Sequence, residues 1–516
     1  MASRPEAEQA GILVLGKIGA TIAEAITPFL IVRLLGKADV GALSGLLLIY
    51  STTVAILTAG FPPAVLYFHA NRDLAARWYV TRKIEGVLMV LAVGATLLLS
   101  VLGWWGDAWL EAGGRWFAET FSGGQHAESA ESVALSPLRL FAIYPLLDLP
   151  ARILPNLLIS ERRPRGAALF AVLKAIGTVL ATLVPAALGL GLDGIVVGLI
   201  VFAALECTGL LLTLRVIYAG SGKTTERVSA LQLLRFALPL GGSNIVNQLN
   251  ATLDRYLILV FMSATSFAEY RMGAWQIPVV TTAAYSVGTV YLPRFSSMFQ
   301  AGDGPGVVAI WRESIEKVSL IVVPVCAVFL VASEEFVTLA FTADYVRAAP
   351  VFRYYCVFTM MRVAPFGAVL LAAGRTGDVL RAAIFTLLSN LAVSVPLLFW
   401  VGFEGPALGT ALAFIPMAAY YCFYIARASG VRWSETFPVL RYLLVVAAAA
   451  PGALLAFWFK LAVPTHPAVA LTVEALAVLL GFAIVGTLTK LISRDDWRFA
   501  LDWVRLKVLT RKEPAG

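Results

Sequence analysis

Residues 166–214 read GAALFAVLKAIGTVLATLVPAALGLGLDGIVVGLIVFAALECTGLLLTL, and this stretch decides the fold. It holds two apolar runs, near 166–188 and 192–214, parted by a Gly-containing turn at 189–191. Each run matches the roughly 20 residues a helix needs to cross the hydrocarbon core. Arg162, Arg163 and Arg165 precede the pair and Arg215 follows it. Basic residues collect on one side of a membrane, so both ends of this hairpin belong on the same face.

The same criterion, carried outward, places spans near 10–35, 41–68, 84–104, 137–159, 235–261, 268–293, 315–333, 349–372, 378–400, 406–426, 440–460 and 468–490, about fourteen with the first two. With the N-terminus inside, 27 of the 40 Lys and Arg fall in inside segments and only Lys37, Arg115, Arg347 and Lys460 outside. That bias puts both termini of a multi-pass inner-membrane protein in the cytoplasm, since one missed helix would scramble it. Composition agrees. The chain is 59% hydrophobic and 14% charged, with mean hydropathy +0.82, whereas soluble domains carry roughly 25% charged residues.

The net charge of +8 does not signal nucleic acid, because the basic residues sit in short loops and form no aromatic-laced patch. Cys207, Cys326, Cys356 and Cys422 lie in apolar runs and read as small core residues. His69, His126 and His466 lack the spacing of metal ligands, so no metal or other cofactor is expected. The first apolar run carries Lys17 and Glu24 and reads as a retained span rather than a cleaved leader. Residues 104–136 read as the longest outside loop, with an interfacial WWGDAWLEAGGRWF. From Trp497 the tail reads as a basic amphipathic helix lying on anionic membrane lipids.

Nine Lys and Arg fall within spans or at their edges: Lys17, Arg33, Arg139, Arg152, Lys174, Arg255, Arg271, Arg353 and Arg362. A charge at the bilayer centre costs about 2.5–3.5 kcal/mol on insertion scales, so such residues face protein or a wet cavity. Lys17, Thr21, Glu24 and Pro28 share one face of the first span, as either a cavity wall or an ion pair. Asn244, Asn247, Ala251 and Asp254 share a face of the seventh, with Gln248 and Asn250 nearby, which suits a hydrated crevice. Arg255 either joins that crevice or satisfies itself locally. Asp148 and Arg152, at i and i+4, read as a self-neutralising structural pair. Arg271 and Gln276 open the eighth span, whereas Lys174 and Glu206 stand isolated. Pro28, Pro145, Pro239, Pro278, Pro324, Pro365 and Pro396 are expected to interrupt spans and permit bending.

The first and seventh spans start on the same side, which implies a parallel repeat of two six-helix lobes around a V-shaped central cavity. The expected organisation is residues 1–215 and 216–434 as the lobes, 435–493 as two extra spans, and 494–516 as the tail.

FLIVRLLGKADVGALSGLLLIYSTTVAILTAGFPPAVLYFHA (29–70) resembles the opening helices of the polysaccharide-exporting flippases of the MOP superfamily. RFALPLGGSNIVNQLNATLDRYLILVFM and AEYRMGAWQIPVVTTAAYSVGTVYLPRFSSM resemble their seventh and eighth helices. Gly288, Thr289, Leu292 and Pro293 also make the second segment similar to the lipid II flippases. The resemblance implies alternating-access export of an undecaprenyl-diphosphate-linked oligosaccharide to the outer leaflet, beside glycosyltransferases and a polymerase of the same pathway. It implies a cationic cavity, mapping onto Lys17 and Arg271 and, further, Arg33 and Arg255, with Asn244, Asn247 and Gln276 contributing amides to the substrate. Glu24 and Asp254 are then the candidates for coupling to a proton or sodium gradient. Lys17 stands where lipid II flippases favour arginines, which argues for another glycan.

Two rivals remain at this level. A multidrug antiporter of the same superfamily would want an acidic pocket, yet embedded basic residues outnumber Glu24, Asp148, Glu206, Asp254 and Glu474. A membrane-embedded polymerase or acyltransferase would need a reacting constellation, and the sequence offers only the solitary His126. The expected protein is not an enzyme.

Overall fold

The computed structural model describes residues 4–58, 60–122, 136–222, 224, 228–463, 466–494 and 496–497. The side chains of residues 1–18, and several in 230–243 and 279–289, lie outside the description. Lys17 and Thr289 are among these, and so is the expected amphipathic tail from residue 498 on. Among the described residues 86% are helical, so the all-α reading holds.

α1 (Arg4–Leu34) leads into α2 (Lys37–Thr58) and α3 (Phe61–His69), then α4 (Leu74–Ser122). Three short helices follow, α5 (Leu138–Phe141), α6 (Tyr144–Ala151) and α7 (Leu154–Ser160). The opening hairpin is α8 (Pro164–Ala187) and α9 (Gly191–Ile217). Next come α10 (Ala230–Phe261), α11 (Ala264–Gly273), α12 (Pro278–Gln300), α13 (Gly304–Val331) and α14 (Ser333–Phe341). A 3-10 turn, Ala343–Ala348, precedes α15 (Ala349–Met361) and α16 (Phe366–Ala372). The chain continues as α17 (Thr376–Val401), α18 (Gly405–Ser429), α19 (Trp433–Thr436), α20 (Val439–Ala462) and α21 (Pro467–Leu488). Every expected span coincides with a helix or a run of helices, and among the described residues ten stretches are long and apolar enough to cross a membrane.

Several expected single spans are broken, for local reasons. The span at 41–68 parts at Gly60, which adopts φ 86° just ahead of Pro62 and Pro63. Only glycine takes that backbone region without a Cβ clash. The span at 137–159 becomes α5, α6 and α7, with a proline in the first turn of the latter two. The span at 268–293 parts before Pro278, and the one at 349–372 parts at Arg362–Pro365. Pro28, Pro324 and Pro396, by contrast, sit inside continuous helices. Neighbouring helices and local adjustments can accommodate the carbonyl that such a proline frees.

The first part of the loop expected over 104–136 is instead helical, because α4 runs to Ser122, and residues 123–135 lie outside the described residues. The Trp-Ala-Leu-Glu content of this stretch suits a helix. Arg139 ties it down, donating from Nε to the Gly103 carbonyl at 2.8 Å and lying 4.1 Å over the Trp104 ring.

By its internal contacts the chain forms two compact units. The first comprises Met1–Ala274 with Ala383–Ala413, and the second Trp275–Ala382 with Phe414–Gly516. In the first, Phe61, Val65, Val80, Ile84, Leu157 and Leu210 join α3, α4, α7 and α9 in a core. In the second, Trp311, Phe352, Cys356, Phe366, Ala449 and Val478 knit α13, α15, α16, α20 and α21 together.

α20 and α21 meet backbone to backbone: a Cβ on Gly452 would lie 2.7 Å from the Ala477 carbonyl oxygen, and one on Gly481 2.7 Å from Gly452 Cα. Small residues let membrane helices approach this closely. Gly452→Leu should therefore overpack the pair at a cost of roughly 1–3 kcal/mol. The expected result is a lower heat-unfolding midpoint for the detergent-purified protein; an unchanged midpoint would contradict the contact.

Candidate functional site

The strongest concentration of charge inside the first unit centres on Lys174, midway along α8. Its Nζ donates to Asp148 Oδ1 at 2.9 Å and to Glu206 Oε2 at 3.1 Å. Asp148, on α6, also accepts from Arg152 Nε at 2.6 Å and from the Tyr50 hydroxyl of α2. Asp148 is fully buried and Glu206 is 5% exposed. Two carboxylates are thus set against two cations, and Glu24 of α1 lies in electrostatic reach of Lys174. Around them, Tyr50 packs edge-on against Tyr144 at 4.9 Å, and Arg152 lies 5.8 Å from the Tyr50 ring. Unpaired, any of these charges would be costly to bury; balanced and hydrogen-bonded, they can stay ionised. Lys174 and Glu206 also wall a groove of about 980 Å³ between α8 and α9, otherwise lined by residues such as Leu169, Leu173, Phe202 and Leu205.

The sequence shows Asp148 with Arg152 but leaves Lys174 and Glu206 isolated. A signal was there. Lys174 and Glu206 are equidistant from Leu190, in the α8–α9 turn. Asp148 and Lys174 are equidistant from Glu161, in the α7–α8 turn. Residues symmetric about a tight antiparallel turn come level with one another.

A second polar set lies on α10 and its neighbours. Asp254 is 2% exposed and accepts from the Tyr270 hydroxyl at 3.0 Å. Asn390 Nδ2 on α17 donates to Asn250 Oδ1 at 3.2 Å, and Ser394 donates to Asn390 Oδ1 at 2.7 Å. Lys37 pairs with Glu269 at 2.7 Å, joining α2 to α11.

The remaining expected site residues are placed as follows. Asn244 and Asn247 are exposed, unlike Asp254, with which they share a face in sequence. Arg255 donates to the Ala251 carbonyl of its own helix at 2.7 Å, and Arg33 likewise donates to the Phe29 carbonyl. Arg271 is half-buried at the end of α11, and Gln276, in the second unit, is exposed. Glu24 is exposed, and Lys17 falls outside the described side chains. In the second unit, Arg353 pairs with Glu334 at 2.7 Å, and Arg362 lies 5.2 Å from the Phe358 ring.

A third cluster escaped sequence reasoning. His69 of α3 contacts Ser160 at 3.0 Å and Thr81 at 3.1 Å, and the Tyr218 hydroxyl bonds to Glu161 at 3.0 Å. Arg77 donates to Glu161 at 2.8 Å. These bonds fasten neighbouring ends of α3, α4, α7 and α9, and no local pattern in the sequence announces them.

With this geometry established, known proteins supply context. The polysaccharide biosynthesis protein family matches residues 138–350, which include Asp148, Arg152, Lys174, Glu206 and Asp254. The probable low-salt glycan biosynthesis flippase Agl15 of Haloferax volcanii is 22% identical over 194 residues, 37% of this chain. That alignment spans only 41% of the relative. The lipid II flippase MurJ, in an inward closed conformation, superposes with a TM-score of 0.67 at 13% identity, covering 92% of this chain and 98% of MurJ. An inward-facing multidrug resistance MATE transporter of the MOP superfamily gives 0.57 at 14% identity, covering 80% of this chain and 96% of that one. The expected resemblance is thus met in sequence by a polysaccharide biosynthesis family and a glycan biosynthesis flippase, each over part of the chain, and in fold by MurJ and the MATE transporter.

Lys174→Met would leave Asp148 and Glu206 short of a partner. Breaking a buried pair on one side costs about 3–5 kcal/mol. The expected outcome is a marked fall in thermal stability, partly recovered in Lys174→Met/Glu206→Gln, as read by unfolding of the purified protein. Equal stability of all three would show that the network contributes nothing.

Proposed function

We propose that this protein is an alternating-access flippase that carries an undecaprenyl-diphosphate-linked oligosaccharide from the cytoplasmic to the outer leaflet of the inner membrane for polysaccharide biosynthesis. The observation that carries this reading is the polysaccharide biosynthesis family match over residues 138–350. It is supported by the MurJ-like fold, which extends over nearly the whole chain.

The physics asks for such a device. Neither a diphosphate nor a chain of sugar hydroxyls crosses hydrocarbon unaided. A wet path with cationic side chains lowers that barrier while the prenyl tail stays among lipids. In this reading Lys17 and Arg271 take the diphosphate, helped by Arg33 and Arg255. Asn244, Asn247 and Gln276 meet hydroxyls of the glycan. Glu24 and Asp254 couple the movement to a proton or sodium gradient. Glu24 suits that role because it lies in electrostatic reach of Lys174, so a change in its charge would be felt by the Asp148–Glu206 network.

The MATE likeness favours a second reading, an ion-coupled antiporter of drugs or metabolites. The excess of embedded basic residues counts against a cationic substrate. The purified chain in vesicles, offered either a fluorescent polyprenyl-diphosphate oligosaccharide or a cationic drug, discriminates the two. Protection of the lipid-linked sugar from an added enzyme reports flipping. In that assay Lys17→Ala and Arg271→Ala are each expected to slow transport by roughly tenfold or more, because a hydrogen bond to a charged group contributes about 1.5–3 kcal/mol. Wild-type rates in both variants would remove these residues from the path.

A further inference from the structure

Glu474 lies in the middle of the buried stripe of α21, between Ala470 and Val478, and is fully buried. Neither carboxylate oxygen has a hydrogen-bond partner among the described residues. Three elements pack on α21. α20 brings Lys460, and α14 brings Glu334 and Glu335, the charged groups in electrostatic reach of Glu474. α13 carries Arg312, Glu313, Glu316 and Lys317 toward its Gly304 end, and only Cys326 is titratable in its other half.

The nearby charges are already spoken for. Lys460 Nζ lies 3.2 Å from Glu334 and 3.0 Å from Glu335. Arg353 donates to Ser333 at 2.6 Å and to Glu334 at 2.7 Å. Burial works against the charge of Glu334, yet Arg353 and Lys460 hold its carboxyl below the usual range. Two acids and two bases therefore balance, and an ionised Glu474 would be an unmatched third negative charge with no hydrogen bond among the described residues. A metal cation would need several oxygen ligands, and the facing stripe of α20, Val445, Ala448, Ala449, Gly452 and Ala456, offers none from side chains. A proton needs only the carboxyl itself.

We propose that Glu474 is a proton-binding site: packed as here it carries a proton, and it releases that proton only when α21 loosens from α20 and α14 enough to admit water. The site lies outside the residues assigned to substrate or coupling above and does not rest on the transport reading. Because the folded protein holds a proton that the unfolded chain has lost at neutral pH, stability falls as pH rises through the titration of this group.

The test uses the full-length protein in detergent. At neutral pH the infrared spectrum should show a carboxylic-acid carbonyl band that Glu474→Gln loses and Glu474→Asp retains. The unfolding midpoint of the wild type should drop more steeply with rising pH than that of Glu474→Gln, which has nothing to titrate there. Should Glu474→Gln fold poorly, Glu474→Leu gives the same two comparisons. Undiminished carbonyl absorption in the Gln or Leu variant, or pH slopes identical to the wild type, would overturn the proposal.

Discussion

The structure of the first unit depends on one ammonium group shared by two carboxylates. Lys174 is placed at mid-helix, where a lone charge would be expelled from hydrocarbon. It can remain only because Asp148 of α6 and Glu206 of α9 reach it. That requirement fixes the rotation of α8 and α9 about their axes and the depth to which α6 enters. Arg152 and Tyr50 then complete Asp148, so α2 is committed as well. Hydrogen bonds between buried charges add a directional requirement to the apolar packing, because a buried group left unsatisfied is costly.

Broken helices serve the same end. α6 is short, with Pro145 and Pro150 within its eight residues and Pro155 opening α7, and its shortness lets Asp148 lie beside α8 and α9 without a full span intervening. Beyond Gly60, where α2 gives way to α3, His69 reaches Ser160 and Thr81. Prolines inside α1, α13 and α17 bring no comparable break.

How far this could be read from sequence follows from how local each cause is. Span positions were legible because twenty apolar residues in a row suffice, and the Arg162–Arg165 and Arg215 flanks marked the α8–α9 hairpin. The Asp148–Arg152 pair was legible because one helical turn joins it. Asp254 was seen as an embedded acid, but its partner Tyr270 was not, although the two are equidistant from Met262 in the α10–α11 turn. Turn symmetry explains this pair as it explains Lys174 with Glu206 and Lys174 with Asp148. Contacts such as Lys37–Glu269 or Asn250–Asn390 join distant segments about no single turn. They follow from assembly of the whole unit and leave no trace in spacing.

Two kinds of buried acid emerge, and they call for opposite physical treatment. Asp148 is surrounded by donors, so its charge is compensated and fixed, and altering it would disturb four helices. Glu474 is surrounded by hydrocarbon and by charges already matched, so its neutral form fits and its ionised form does not. Glu206 stands between them, with Oε2 bonded to Lys174 and Oε1 without a partner among the described residues. A carboxylate held by one bond from a shared lysine is fixed less firmly in place than one held by three. Asp148 is therefore the anchor that positions Lys174, and Glu206 is the looser of its two partners.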